Sequence, residues 1–169
     1  MTDTSAAARP SPETVWAWLA ELPDPEIPVI SLVDLGIIRD VTWQKDCLEV
    51  TVTPTYSGCP ATTVISLEIE QALRDHGVEK FALKRQIAPA WTTDWISQAG
   101  RDKLRAYGIA PPEEGAPCSG LMTAEAPKIA CPRCGSRASE RISQFGSTPC
   151  KASYRCSDCL EPFDYFKPF

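Results

Sequence analysis

The chain has 169 residues, 43% of them hydrophobic, and a formal net charge of -5. That length allows one core of modest size with a small appendage, and the acidic balance excludes a general binder of nucleic acid or of anionic membranes, since both need a basic surface. No apolar run approaches a membrane span and Met1 to Pro10 holds no hydrophobic signal core, so a cytoplasmic protein is expected, in which eight cysteines read as metal ligands or reactive thiols before disulfides.

Charge is unevenly spread. Residues 128–169 carry seven Lys/Arg against four Asp/Glu, a net of +3, which leaves -8 for the first 127 residues. Residues 1–10 read as a frayed tail. Ser11-Pro12-Glu13 is a helix start, with Ser11 as N-cap, Pro12 at the first helical position and an acid in the first turn. Val15, Trp18, Leu19 and Leu22 follow at helical spacing until Pro23 stops the run.

Asp24-Pro25-Glu26-Ile27-Pro28-Val29 cannot be helical, because Pro25 and Pro28, with Pro23 just before them, remove donors and push their predecessors toward extended conformations. It is expected as a stiff loop presenting two carboxylates, either a solvated connector or part of a site. Ser31-Leu32-Val33-Asp34-Leu35-Gly36 leads into a strand over 37–43, Lys45-Asp46 offers a turn, and alternation at Val50 and Val52 predicts a second strand over 48–53.

That hairpin delivers the chain to Thr55-Tyr56-Ser57-Gly58-Cys59-Pro60. Pro60 suits the first position of a helix, which makes Cys59 the expected N-cap. A thiol placed there meets unpaired N–H groups and the positive end of the helix dipole, which favours the thiolate; a buried structural cysteine is the alternative. Ala61, Val64, Ile65, Ile69, Ala72 and Leu73 share one face of a helix over 61–76, with Gly77 behind it. The only histidine, His76, falls in its last turn. A third strand over 78–87 should return parallel to a neighbour. Thr92 or Thr93 is then expected to cap a last helix ending near Tyr107-Gly108, with Trp91 and Trp95 packing over the sheet. Residues 110–128, rich in Pro, Gly, Ala and Glu, read as a linker in which Cys118 is incidental.

Cys131-Pro132-Arg133-Cys134-Gly135 and Cys156-Ser157-Asp158-Cys159 are C-x-x-C pairs with 21 residues between them, close to the zinc-ribbon spacing. A hairpin from 141–145 and 151–155 would bring the pairs together around one tetrahedral ion. Four thiolates leave no open position, which favours structural Zn2+ over a catalytic centre, while an iron site for electron transfer is the other tetrahedral-thiolate option. A module of about forty residues has too little core to fold alone, so metal should contribute much of its folding free energy. Cys150 is left over as a replacement ribbon ligand, a packed core thiol or a second reactive site. The expected fold class is α+β, a small three-stranded mixed sheet with helices over 11–108, a linker over 109–128 and a small all-β zinc-ribbon-like module over 129–169.

Asp24-Pro25-Glu26-Ile27-Pro28-Val29, Val33-Asp34-Leu35-Gly36-Ile37-Ile38 and Gly58-Cys59-Pro60 together resemble the domain of iron–sulfur cluster assembly factors over about residues 12–108. With the tail ending Arg155-Cys156-Ser157-Asp158-Cys159-Leu160-Glu161-Pro162-Phe163-Asp164-Tyr165-Phe166-Lys167, the whole chain resembles the family of D subunits of bacterial phenylacetyl-CoA epoxidase systems. The resemblance implies a non-catalytic accessory factor for aerobic phenylacetate degradation that assists assembly of iron or iron–sulfur centres. Its partners would be the oxygenase or reductase subunits, and it could form a homodimer. Within the resemblance Cys59 is the functional thiol and Asp24 and Glu26 are carboxylates that help hold iron or a cluster transiently. A structural or electron-transfer subunit of the oxygenase complex is the alternative. No Ser/His/Asp order, phosphate-binding glycine loop or open zinc motif supports a hydrolase or transferase.

Overall fold

Ser11 caps the first helix as its sequence requires, accepting a hydrogen bond from the Thr14 N–H, and helix α1 runs Pro12–Ala20 with Val15 and Leu19 buried. The computed structural model describes residues 9–56, 58–113, 115 and 127–169; Cys118 and most of the N-terminal tail lie outside the described residues. Strands β1 (Ile38–Gln44) and β2 (Cys47–Val52) pair antiparallel across the Lys45-Asp46 turn, where Lys45 takes a φ of 57°. Helix α2 (Thr62–Asp75) crosses over to β3 (Phe81–Arg85), which pairs parallel with β2, so this sheet has the order β1-β2-β3. The strand is shorter than the expected 78–87 stretch, although Val78 at its approach is buried.

The proline-rich loop is not a solvated connector. A Pro23–Ser31 bridge and the Asp24 N–H donating to the Ile30 carbonyl at 2.8 Å fold it into a closed hairpin-like loop. Ile27, Ile30, Leu32 and Leu35 from this loop are all essentially inaccessible and join the main core. Gly36 ends it with φ +69°, and a Cβ there would lie 2.7 Å from the Trp95 carbonyl oxygen, so a side chain is excluded by both conformation and contact.

Trp91 is buried, with its indole N–H donating to the Leu35 carbonyl at 2.9 Å. Trp95 is covered by the Arg39 guanidinium, 3.6 Å from its ring centroid. Thr92 caps only a short 3-10 turn over Thr93–Trp95, and Ser97 caps helix α3 (Gln98–Tyr107), which closes at Gly108 in the left-handed conformation. The expected Thr92 or Thr93 cap is thus displaced by Ser97, whose side chain also donates to Asp34 at 2.7 Å. Two hydroxyl-bearing stretches competed for the role, and contact with the loop selected the second.

Asp34 also takes an ion pair from Lys103 at 2.6 Å. Burial alone would raise its pKa, but hydrogen bonds from Lys103 and Ser97 outweigh it and hold the carboxyl below its ordinary value of 3.8. A depressed folded pKa contributes stability that is present above the unfolded value and lost as pH falls through the folded one. Asp34→Asn should therefore cost about 0.5–1.5 kcal/mol at neutral pH and flatten the loss of stability below about pH 4 in denaturant titrations. An unchanged acid limb would show that this carboxylate does not link the loop to α3.

After α3 the chain enters the second sheet at once. Strand β4 (Ile109–Ala110) pairs parallel with β7 (Pro162–Phe166), which pairs antiparallel with β6 (Lys151–Cys156), itself antiparallel to β5 (Ser139–Ser143). This four-stranded sheet has the order β4-β7-β6-β5 and its own small core around Ala152, Tyr154, Phe163 and Tyr165. Cys150 and Phe166, however, are buried in the main core. Phe166 lies beside Trp91, and Phe169 stacks on Tyr56 with ring centroids 5.8 Å apart. The end of the chain thereby covers the first domain next to Cys59.

Candidate metal centres

Each C-x-x-C pair sits on a tight turn that aims both thiols to one side. Cys131 and Gly135 close the first, with the Gly135 N–H donating to the Cys131 carbonyl at 2.8 Å and Gly135 at φ +76°. The second is closed by the Cys156 N–H donating to the Glu161 carbonyl at 3.0 Å. An Arg133–Glu161 ion pair at 3.0 Å and a Ser136–Asp158 hydrogen bond tie the two turns together.

The sulfur atoms of Cys131, Cys134, Cys156 and Cys159 all lie within 4.8 Å of one another. The Cys131–Cys159 and Cys134–Cys156 separations are 3.7 and 3.6 Å. A tetrahedron built on Zn–S bonds of about 2.3 Å has an edge of about 3.8 Å, which those two edges match, and the remaining separations, all within 4.8 Å, need at most a small contraction to hold a zinc ion. The electrostatics favour a cation as well. The Cys159 backbone N–H favours the Cys156 thiolate and, against the cost of burial and with help from the Asp158 N–H, brings its pKa down to about 7. The Ser136 N–H favours the Cys134 thiolate too, but the three neighbouring thiols outweigh it and push that group up to about 12. Four thiolates cannot share this space unless a positive ion neutralises them.

The second centre lies where the proline-rich loop meets the approach to α2. Asp24, Glu26, Cys59 and Cys150 line one cavity of about 20 Å3, room for about one water-sized guest. Asp24 is buried, and its Oδ1 accepts hydrogen bonds from the Glu26 and Ile27 N–H groups at 2.9 and 2.8 Å. One carboxylate oxygen is thus committed to shaping the turn that carries Glu26. Burial raises the Asp24 pKa against those two hydrogen bonds.

Cys59 is half-buried and does not cap the helix. Ala61 occupies the N-cap position without a side-chain bond, and α2 begins at Thr62. The approach is a tighter turn in which the Thr62 N–H and hydroxyl both reach the Cys59 carbonyl, at 3.2 and 2.9 Å. Pro60 initiates this turn rather than the regular helix, so the thiol stands just ahead of the first α-helical residue. His76 occupies the far end of α2 and stacks on Trp18 at 4.0 Å between centroids, away from this site.

Cys150 was not placed by sequence. The turn between β5 and β6 carries it, and the strand then runs six residues to Cys156, about 20 Å at about 3.4 Å per residue. A ribbon-ligand role is excluded by that separation. Its Sγ instead lies 3.8 Å from Glu26 Oε2 and 3.0 Å from Thr148 Oγ1. Burial pushes this thiol up to about 11, with Thr148 lowering it and Glu26 raising it. The buried Tyr56 hydroxyl makes no hydrogen bond of normal geometry among the described residues. Burial, followed by the proximity of Cys59, Glu26 and Cys150, pushes it up to about 12. The only sequence signal for Cys150 was that it belonged to neither C-x-x-C pair.

Comparison with known proteins follows the same division of the chain. Residues 12–80 match a family model described as iron–sulfur cluster assembly protein, and residues 116–167 match one described as PaaD zinc beta ribbon domain. An Escherichia coli K12 protein, provisionally named as the D component of 1,2-phenylacetyl-CoA epoxidase, is 47% identical over 160 residues, covering 95% of this chain and 94% of that protein. An Fe-S protein maturation auxiliary factor from Bacillus subtilis is 32% identical over 96 residues, 56% of this chain and 86% of its own. Among solved structures, a domain of unknown function from Bacillus anthracis aligns with a TM-score of 0.52 at 25% identity, over 55% of this chain and 90% of that one. A conserved hypothetical protein from Thermotoga maritima gives 0.50 at 25% identity, over 58% and 97%.

Proposed function

Because the chain belongs to the family of phenylacetyl-CoA epoxidase D components, we propose that it is an accessory maturation factor of that multicomponent epoxidase, assisting assembly of iron or iron–sulfur centres in its oxygenase or reductase components. The observation that carries the proposal is the cavity in which the Cys59 thiol meets the Asp24–Glu26 loop. The assembly family model spans residues 12–80, which carry most of that cavity's lining, and one relative is named as a maturation auxiliary factor; both support the same reading.

The division of labour follows from the chemistry of the two centres. Zinc held by Cys131, Cys134, Cys156 and Cys159 supplies a structural cross-link with no open position. At the cavity, iron is cargo. Asp24 shapes the loop, Glu26 supplies a carboxylate, and Cys59 supplies a partly accessible thiol on an irregular turn that can release what it binds. Coexpression of the epoxidase components with wild type or with Cys59→Ser tests the proposal. Wild type should give iron-replete, active components, and the variant should lower both occupancy and epoxidation. Full occupancy and activity with the variant would refute it.

A further inference from the structure

We propose that Cys150 is a second thiolate ligand at the Cys59 cavity, so that the ribbon completes with Glu26 and Cys59 a site for a single divalent metal ion. The inference rests on the cargo role assigned to Cys59 above and adds to it the ligand that the C-terminal module contributes.

Three observations converge. First, a part-buried edge of the site is already formed. For a metal–sulfur bond of about 2.3 Å and a metal–oxygen bond of about 2.1 Å, tetrahedral ligands lie about 3.6 Å apart, and Cys150 Sγ is 3.8 Å from Glu26 Oε2. Second, within an otherwise largely apolar lining the ionisable groups are Asp24, Glu26, Cys59 and Cys150, each an anion once deprotonated, while the charge of Lys151 reaches both Asp24 and Cys150. Lys151 is itself directed to Asp164, 3.5 Å away. Third, the buried Tyr56 hydroxyl makes no hydrogen bond of normal geometry among the described residues and lies close to Cys59, Glu26 and Cys150, with Cys59 within reach of it; a thiolate at Cys59 held by a metal would give it an acceptor. A mixed thiolate and carboxylate set suits borderline ions such as Fe2+, Co2+ and Zn2+, and the volume admits one ion rather than a cluster.

The ribbon is the one tight four-sulfur cluster among the described residues, and no third group joins Cys150 and Glu26 at the same close range. Cys59, which lines the same cavity, is accordingly required to approach Cys150 and Glu26 when the ion binds. Binding releases the protons of the two thiols to solvent, and withdrawal of Cys59 opens one side of the ion for transfer.

Zinc-replete protein titrated with Co2+ under anaerobic conditions tests this, with the sulfur-to-cobalt charge-transfer band as readout and the Cys59→Ala/Cys150→Ala double variant as the measure of exchange into the ribbon. Wild type should bind one further Co2+. Cys150→Ala should weaken that binding by about 100-fold or more, since even outer-shell partners account for about 10–100-fold, and should weaken the band. Thiol alkylation mapped on the wild-type protein avoids dependence on a variant's folding: Co2+ should protect Cys59 and Cys150 together. Loss of binding in Cys59→Ala with full binding in Cys150→Ala, or protection of Cys59 alone, overturns the ligand role of Cys150 and leaves the cargo role of Cys59 standing. Unchanged binding in both variants overturns both.

Discussion

Cys131→Ser should leave the ribbon unfolded while the sheet of β1, β2 and β3 keeps its structure. Structural zinc sites of this kind supply about 10–16 kcal/mol of apparent binding free energy at neutral pH. Beyond the docking of Cys150 and Phe166 in the main core, the module is held by a separate core of only a few side chains about Tyr154 and Phe163. The Cys131 thiol is buried, so its replacement both breaks the tetrahedron and leaves three crowded thiols without a full complement of charge. Zinc content should fall from one equivalent, and amide protection should vanish across β5, β6 and β7 while persisting in β2 and α2. Loss of the ribbon should also uncover the Cys59 cavity, because Cys150 and Phe166 form part of its wall. Alkylation of Cys59 should accelerate in step. A variant that retained one zinc and full protection would contradict the structural role of the four-cysteine centre.

Phe166→Ala should be the most destabilising substitution at the junction of the two sheets. Phe166 is 1% exposed, packs beside Trp91 and belongs to the main core although it ends a strand of the second sheet. Phe-to-Ala changes at such sites cost about 3–5 kcal/mol. The removed ring also borders the cavity, so the loss of packing falls against Cys59. Denaturant unfolding should show the full cost, and the alkylation rate of Cys59 should rise in the folded variant. A cost below about 1 kcal/mol would mean that the two sheets do not share a core in solution.

Much of this organisation was legible because its causes are local. Ser11-Pro12 begins a helix, Lys45-Asp46 turns a hairpin, and the paired cysteines mark a metal centre; each depends on residues a few positions apart. The parallel return of β3 followed from the helix before it. Cap choice was less legible, since Thr92 and Ser97 both carry suitable hydroxyls and the contact with Asp34, 63 residues away in sequence from Ser97, distinguishes them. The short strand β4 was hidden in a stretch with linker composition because its two residues pair with β7 more than fifty positions later. The proline-rich loop read as exposed from its prolines and carboxylates, whereas Ile27 within it and Ile30, Leu32 and Leu35 just after it anchor it in the core.

The site divided along the same line. Asp24, Glu26 and Cys59 were identified from motifs, and the fold places all three on one cavity. Their geometry was not accessible from spacing: Asp24 spends one oxygen on the turn, and Pro60 sets a tight turn that puts Cys59 ahead of the helix rather than on its cap. Cys150 lies 124 residues from Glu26 in sequence. Only a folded-back ribbon brings them together.

On the proposed function, Cys59 passes iron to an epoxidase component. That transfer is tested most directly by loading the purified, zinc-replete protein with one equivalent of radiolabelled Fe2+, mixing it with the iron-free component, and separating the two. Wild type should transfer its iron to the component while keeping its zinc, and Cys59→Ser should transfer none above the rate from free Fe2+. Equal transfer by the two proteins would contradict the account.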